Sequence, residues 1–110
     1  MAEKINIVMD QGTTFNTSFS FSDANDAPID FSSYSANSQI RKSYTSSTAY
    51  VFTVGLGNDG VISLSMNAAT SSTITAGRYL YDLEVQDANS VRSRLVEGII
   101  SVTPEITRWP

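Results

Sequence analysis

Two carboxylates, Asp82 and Glu84, stand two residues apart in the segment Tyr79-Leu80-Tyr81-Asp82-Leu83-Glu84-Val85. That spacing places side chains on one face of a β-strand, and two acids facing one cleft are the equipment of glycosidase-type chemistry. The alternate positions hold Tyr79, Tyr81 and Leu83, so the acids belong to the face opposite the core. Solvation of that face is the simpler account of them. The chain has no His and no Cys, which excludes Ser-His-Asp triads, cysteine nucleophiles and the common zinc sites. Only carboxylate, hydroxyl, lysine and tyrosine chemistry remains, so no catalytic residue, no cofactor and no enzymatic activity are expected.

Other residues invite a binding role. Asp23, Asn25, Asp26 and Asp30 could offer oxygens to calcium, but their spacing is not that of an EF-hand loop. Asp and Asn in a turn mostly bond their own backbone, which leaves Asp23, Asp26 and Asp30 as weak metal candidates and no metal as the expectation. Tyrosine faces stack on sugars, yet Tyr34, Tyr79 and Tyr81 fall at positions that should face the core. Tyr44 and Tyr50 flank the loop Thr45-Ser46-Ser47-Thr48 and are the better candidates for exposure. Asn16-Thr17-Ser18 matches a glycosylation sequon, which a chain lacking a signal peptide is not expected to use. Arg92 and Arg94 alternate on the last strand and should pair across to Gln86 and Glu84. The single Trp, Trp109, follows Arg108 at the end of the chain. Trp and Arg are favoured interface anchors, so Arg108 and Trp109, with Tyr44 and Tyr50, are the candidate partner-binding residues.

The net charge of −4 argues against nucleic acid as a partner, because such binders carry a basic stripe that displaces counterions from phosphates. No apolar run approaches the roughly 20 residues that cross a bilayer, so no membrane contact is expected. The start, Met1-Ala2-Glu3-Lys4, lacks a basic region followed by an apolar one. The expectation is a chain made in a cytoplasm without a signal peptide.

These residues must be positioned by strands. Ile5, Ile7 and Met9 alternate with polar or outer positions, as do Phe15, Thr17, Phe19 and Phe21, then Tyr34, Ala36, Ser38 and Ile40. Tyr50, Phe52 and Val54 continue the period of two, and Gly57-Asn58-Asp59-Gly60 turns the chain into Ile62, Leu64 and Met66. Gln11-Gly12 reads as a bend, with Gly tolerating positive φ. A short helical turn is predicted near 67–74, capped by Asn67, stopped by Gly77 and crossing between sheets. The last strand, Val91 to Thr103, changes phase near Leu95-Val96, and Gly98 marks a bulge or a close backbone approach. Repeated short strands with turns between them and no βαβ pattern predict an all-β fold, an immunoglobulin-like antiparallel β-sandwich of about seven or eight strands. It forms one domain over residues 1–110, with short terminal arms at 1–4 and 104–110. The disulfide and core Trp of antibody domains are absent, so the likeness is one of architecture.

Several stretches in order carry a family resemblance: Gln11-Gly12-Thr13-Thr14-Phe15, Ala27-Pro28-Ile29-Asp30-Phe31-Ser32-Ser33-Tyr34 and Ile40-Arg41-Lys42, followed by Gly77-Arg78-Tyr79-Leu80-Tyr81-Asp82-Leu83, Arg94-Leu95-Val96-Glu97-Gly98 and Pro104-Glu105-Ile106-Thr107-Arg108. Over nearly its whole length the chain resembles small immunoglobulin-like virion proteins of tailed bacteriophages and prophages. The resemblance implies a structural or adaptor role, at the tail, baseplate or fibre attachment first and in capsid decoration second. The implied partners are other virion proteins in a homo-oligomer or symmetric assembly, and the implied location is the virion. The chain departs from the family pattern at Phe31-Ser32-Ser33, where Leu-Thr-Gly is common, and in its added Trp109-Pro110. A carbohydrate-binding or host-adhesion module is the alternative, with a glycan held in a groove near Tyr44 to Tyr50 and Gly57 to Gly60.

Overall fold

A computed structural model describes residues 3–107. Its strands are β1 (Glu3–Lys4), β2 (Ile7–Asp10), β3 (Phe15–Ser20), β4 (Ser35–Arg41), β5 (Tyr50–Val51), β6 (Thr53–Leu56), β7 (Val61–Met66), β8 (Gly77–Gln86) and β9 (Arg92–Thr103), with one helix, α1 (Ala68–Ser71), between β7 and β8. The larger sheet has the order β1-β9-β8-β4-β5, with β2 also on β9, and the smaller has the order β3-β7-β6. This is the two-sheet sandwich that the alternation predicts.

The sheets close on each other because each buries one face. Ile62 and Leu64 from the smaller sheet meet Ile40, Leu83, Val96 and Ile100 from the larger, all fully buried. Each such side chain contributes about 1.5–3 kcal/mol on removal from water. Phe31, 2% exposed, fills the end of the core, and its ring stands edge-on to both Phe21 and Tyr34 at 5.9 and 5.1 Å. The departure from Leu at this position therefore keeps an apolar plug.

The chain crosses between the sheets four times, after β2, β3, β5 and β7. Between β5 and β6 the chain changes sheet at Phe52, whose N–H donates to the Ser38 carbonyl at 3.0 Å while its ring is buried. The crossing after β7 is α1. Asn67 caps it by accepting from the Thr70 N–H at 2.8 Å, and the buried Ser71 hydroxyl donates to the Thr13 carbonyl at 2.8 Å, tying the helix to the β2–β3 bend. The helix ends at Ser72, whose N–H reaches back to Ala68. Gly77 is therefore not its stop signal, and instead opens β8.

The expectation of antiparallel pairing throughout needs one correction. β1 and β2 both run parallel to β9. The chain enters along the free edge of its own last strand before crossing to the smaller sheet, so both segments point the same way. Glu3 and Lys4, expected in a loose arm, are paired with Val96 and Glu97. At the other end, the Glu105 N–H donates to the Gln11 side-chain oxygen at 3.1 Å, and the Gln11 amide donates to the Ile74 carbonyl at 2.8 Å. One side chain thus holds the bend, the helix exit and the departing chain together. Gly12 in this bend has φ +80, the conformation the sequence requires of a glycine there.

Gly98 is a close approach and not a bulge. It lies opposite Tyr81 on the inner side of β9, and a Cβ there would overlap the Ile5 carbonyl. With no side chain in the way, the Tyr81 hydroxyl donates to that carbonyl at 2.5 Å. The Asn6 side chain meanwhile accepts the Ile99 N–H at 3.1 Å in place of a backbone oxygen. Burial pushes the Tyr81 phenol up to about 12 from an ordinary 10.0. A raised phenol contributes stability that is fully present below pH 10 and is lost as pH rises through about 12. Tyr81→Phe is expected to cost about 1–3 kcal/mol at neutral pH by orphaning the Ile5 carbonyl. It should also lose less stability than the parent between pH 10 and 12, as read from urea midpoints.

Candidate functional site

The strand period places the candidate acids on the outer face of the larger sheet. β8 presents Leu80, Asp82 and Glu84 outward, while Tyr79, Tyr81, Leu83 and Val85 are buried. β4 contributes Asn37, Gln39 and Arg41 on one side, and β9 contributes Arg94, Glu97 and Ile99 on the other. Together with Tyr44 these residues line a groove of about 680 Å³ across the sheet.

A bulge builds the groove's charged centre. Leu83 pairs with Val96 but Glu84 pairs with Arg94, so Leu95 is the extra residue. Arg94 and Glu97 are three apart and would take opposite faces of a regular strand. The extra residue brings them to the same face, where they pair at 2.9 Å. Arg94 also reaches Asp82 at 3.1 Å and Glu84 at 3.9 Å. The Glu84 contact expected from the sequence is thus the longest of three. Arg92 goes where it was expected, donating twice to the Gln86 side-chain oxygen at 3.0 and 2.9 Å.

One arginine among three carboxylates leaves the acids in surplus. Partial burial and then Glu84 push the Asp82 carboxyl above its usual range, and Arg94 only partly offsets them. The Arg94 guanidinium is raised, chiefly by its hydrogen bond to Glu97. The site therefore holds a partly desolvated acid beside a second acid, with a cation clamped between them. Asp82 and Glu84 both bind Arg94 in an ion cluster on an open face.

The remaining candidates are spread out. The Asp23 carboxylate accepts the N–H groups of Asn25 and Ala27 at 2.8 and 3.0 Å. Asp26 takes a positive φ of 62 in the same turn. Asp30 accepts the Ser32 N–H at 2.9 Å, and the Ser32 hydroxyl and amide hold its carboxyl below the ordinary range. Asp23 and Asp30 spend their oxygens on the backbone, and among the described residues no group of three or more acids stands together as a metal site. Tyr44 is 79% exposed at the rim of the groove. Tyr50 is half-buried, its ring edge-on to Tyr79 at 6.4 Å. Arg108 and Trp109 lie outside the described residues. The groove that Tyr44 lines takes in no residue of the Gly57–Gly60 turn.

Sequence reasoning missed one device. The Tyr79 hydroxyl donates to the Thr75 carbonyl at 2.5 Å, four residues upstream. This is the tyrosine corner of immunoglobulin-like sandwiches, and the position two residues on, where antibody domains carry a disulfide cysteine, holds Tyr81. A Tyr just after a turn and opening a strand was the available signal.

The strand order makes an immunoglobulin-like sandwich, with a three-stranded sheet facing one in which β1 and β2 run parallel to β9. No family model matches the chain, and no curated protein does. Among solved structures it is similar to "Tim-1", at 13% identity and a TM-score of 0.48, covering 99% of this chain and 100% of that one. It is also similar to a structure described under photo-crosslinking analyses of multimeric cell-adhesive interactions of VGSC beta subunits. There the identity is 13% and the TM-score 0.41, covering 91% of this chain and 92% of that one. At these values nothing about partners or activity passes from either to this chain.

The raised carboxyl sets a test of the cluster. A group whose folded pKa is raised contributes stability that is present in acid and lost as pH rises through the folded value. Asp82→Asn is therefore expected to gain on the parent between pH 3 and 7, by no more than about 1 kcal/mol given the exposure of the cluster. Urea midpoints across that range read it.

Proposed function

We propose that the chain is a structural or assembly component of a tailed-bacteriophage virion, at the tail, baseplate or fibre attachment, acting through protein–protein contacts and not as an enzyme. The observation that carries the reading is the ordered set of motifs from Gln11 to Arg108, which resembles such virion proteins along nearly the whole chain. Two features are in keeping with it. The best candidate acids are tied up by Arg94, and the sandwich leaves strand edges that a neighbour can extend. Immunogold labelling of purified virions with antibody against this domain is expected to mark one fixed place. Virions that carry none of the chain, by labelling and by mass spectrometry, would refute the reading.

A second reading has its own observation: the outer groove, lined by the Asn37 and Gln39 amides with Tyr44 exposed at its rim. Amides and an open aromatic are the means by which a protein holds a sugar, as a carbohydrate-binding or host-adhesion module. On this reading a glycan array gives binding that Tyr44→Ala abolishes. Equal binding by the parent and the variant removes the groove as the site.

A further inference from the structure

A two-sheet sandwich has four strand edges, and each is a row of backbone donors and acceptors ready to take another strand unless something blunts it. Three edges here are blunted. The β1–β2 edge carries Glu3, Lys4 and Asp10 and is interrupted where the Asn6 side chain takes the Ile99 N–H. β5 is two residues long. β6 has four residues, includes Gly55 and continues directly from the sheet change at Phe52.

β3 has none of these protections. It pairs with β7 without a break from Phe15↔Met66 to Ser20↔Val61. Its sequence, Phe15-Asn16-Thr17-Ser18-Phe19-Ser20, contains no charge, no Pro and no Gly. Among the described residues no other strand lies along its outer edge. The backbone chemistry of such an edge selects an extended strand as its occupant.

The sequence of β3 also matches itself. In an antiparallel pair, residues directly opposite each other share a face. With Ser18 on a two-fold axis, Asn16 faces Ser20 of the second copy, and Thr14 faces Ser22. On the inner side Thr17 meets Phe19, and Phe15 meets Phe21. Polar residues meet polar ones outside and an aromatic pair forms inside, the combinations that favour cross-strand pairing. The nearest charge, Asp23, falls opposite Thr13, so no like charges oppose each other.

We propose that β3 is a self-association edge, pairing antiparallel with β3 of a second copy about Ser18 and joining the two smaller sheets into one of six strands. A closed two-fold contact of this kind is the commonest form of symmetric assembly. It holds for the isolated chain and does not depend on a place in a virion.

The natural absence of Cys makes the test clean. Light scattering across a wide concentration range is expected to show a dimer of the 11.9 kDa chain. Ser18→Lys, at an exposed position, is expected to abolish the dimer while leaving circular dichroism unchanged. Thr53→Lys, on the exposed side of β6, keeps it. Ser18→Cys is expected to form a disulfide-linked dimer under mild oxidation, because opposed residues in such a pair lie within disulfide range, and Thr53→Cys is not. If Ser18→Lys fails to fold, the Ser18→Cys result decides. A parent chain that stays monomeric throughout overturns the proposal. So does a dimer that Thr53→Lys breaks, or one in which Ser18→Cys does not cross-link.

Discussion

β9 runs for twelve residues with β8 on one side and β1 and β2 on the other, and side chains on a strand change face at every step. A regular strand of this sequence would send Arg92 and Arg94 into the sandwich with Val96, Ile100 and Val102. The single extra residue at Leu95 prevents this. Even-numbered residues point outward before it and inward after it, so the guanidiniums stay in water while the apolar residues reach the core. The rest of the larger sheet depends on that shift. It lets β8 keep an unbroken run of buried Tyr79, Tyr81, Leu83 and Val85, and it sets Arg94 among the acids of the outer face.

The chain without disulfides meets a second demand, which is to hold its entering segment against its leaving one. It does so with polar groups placed where backbone geometry breaks down. At Gly98 the missing side chain admits the Ile5 carbonyl, which Tyr81 then satisfies. At the bend, Gln11 bonds both Ile74 and Glu105. At the helix, Ser71 bonds Thr13. No buried side-chain polar atom among the described residues lacks a partner. In a buried setting, unmade bonds cost more than made ones contribute.

These features separate what stabilises the chain from what it offers to others. The acids that first invite a catalytic reading are occupied by Arg94, Asp23 and Asp30 by nearby backbone N–H groups, and Tyr79 and Tyr81 by carbonyls. What is left unoccupied is surface: the outer face of the larger sheet with Tyr44 at its margin, and the bare edge of β3. Surfaces of this kind take partners by shape and by backbone pairing.

The period of two and the turn residues determined the sandwich, the inner and outer faces, the capped helical turn at Asn67, the hairpin at Gly57–Gly60 and the phase change near Leu95. Each rests on neighbours in the chain, where spacing alone dictates geometry. The clustering of Asp82, Glu84 and Glu97 around Arg94 was only half legible: the faces could be read, but the preference of Arg94 for Asp82 and Glu97 over Glu84 could not. Nor could the parallel course of β1 and β2, the reach of Gln11 or the seat of Ile5 above Gly98 be read in advance. These join residues more than sixty positions apart, and which strand lies beside which is settled by how two whole sheets bury their apolar faces together. Local pattern tells a strand which side to hide. Only the packed sandwich decides against what.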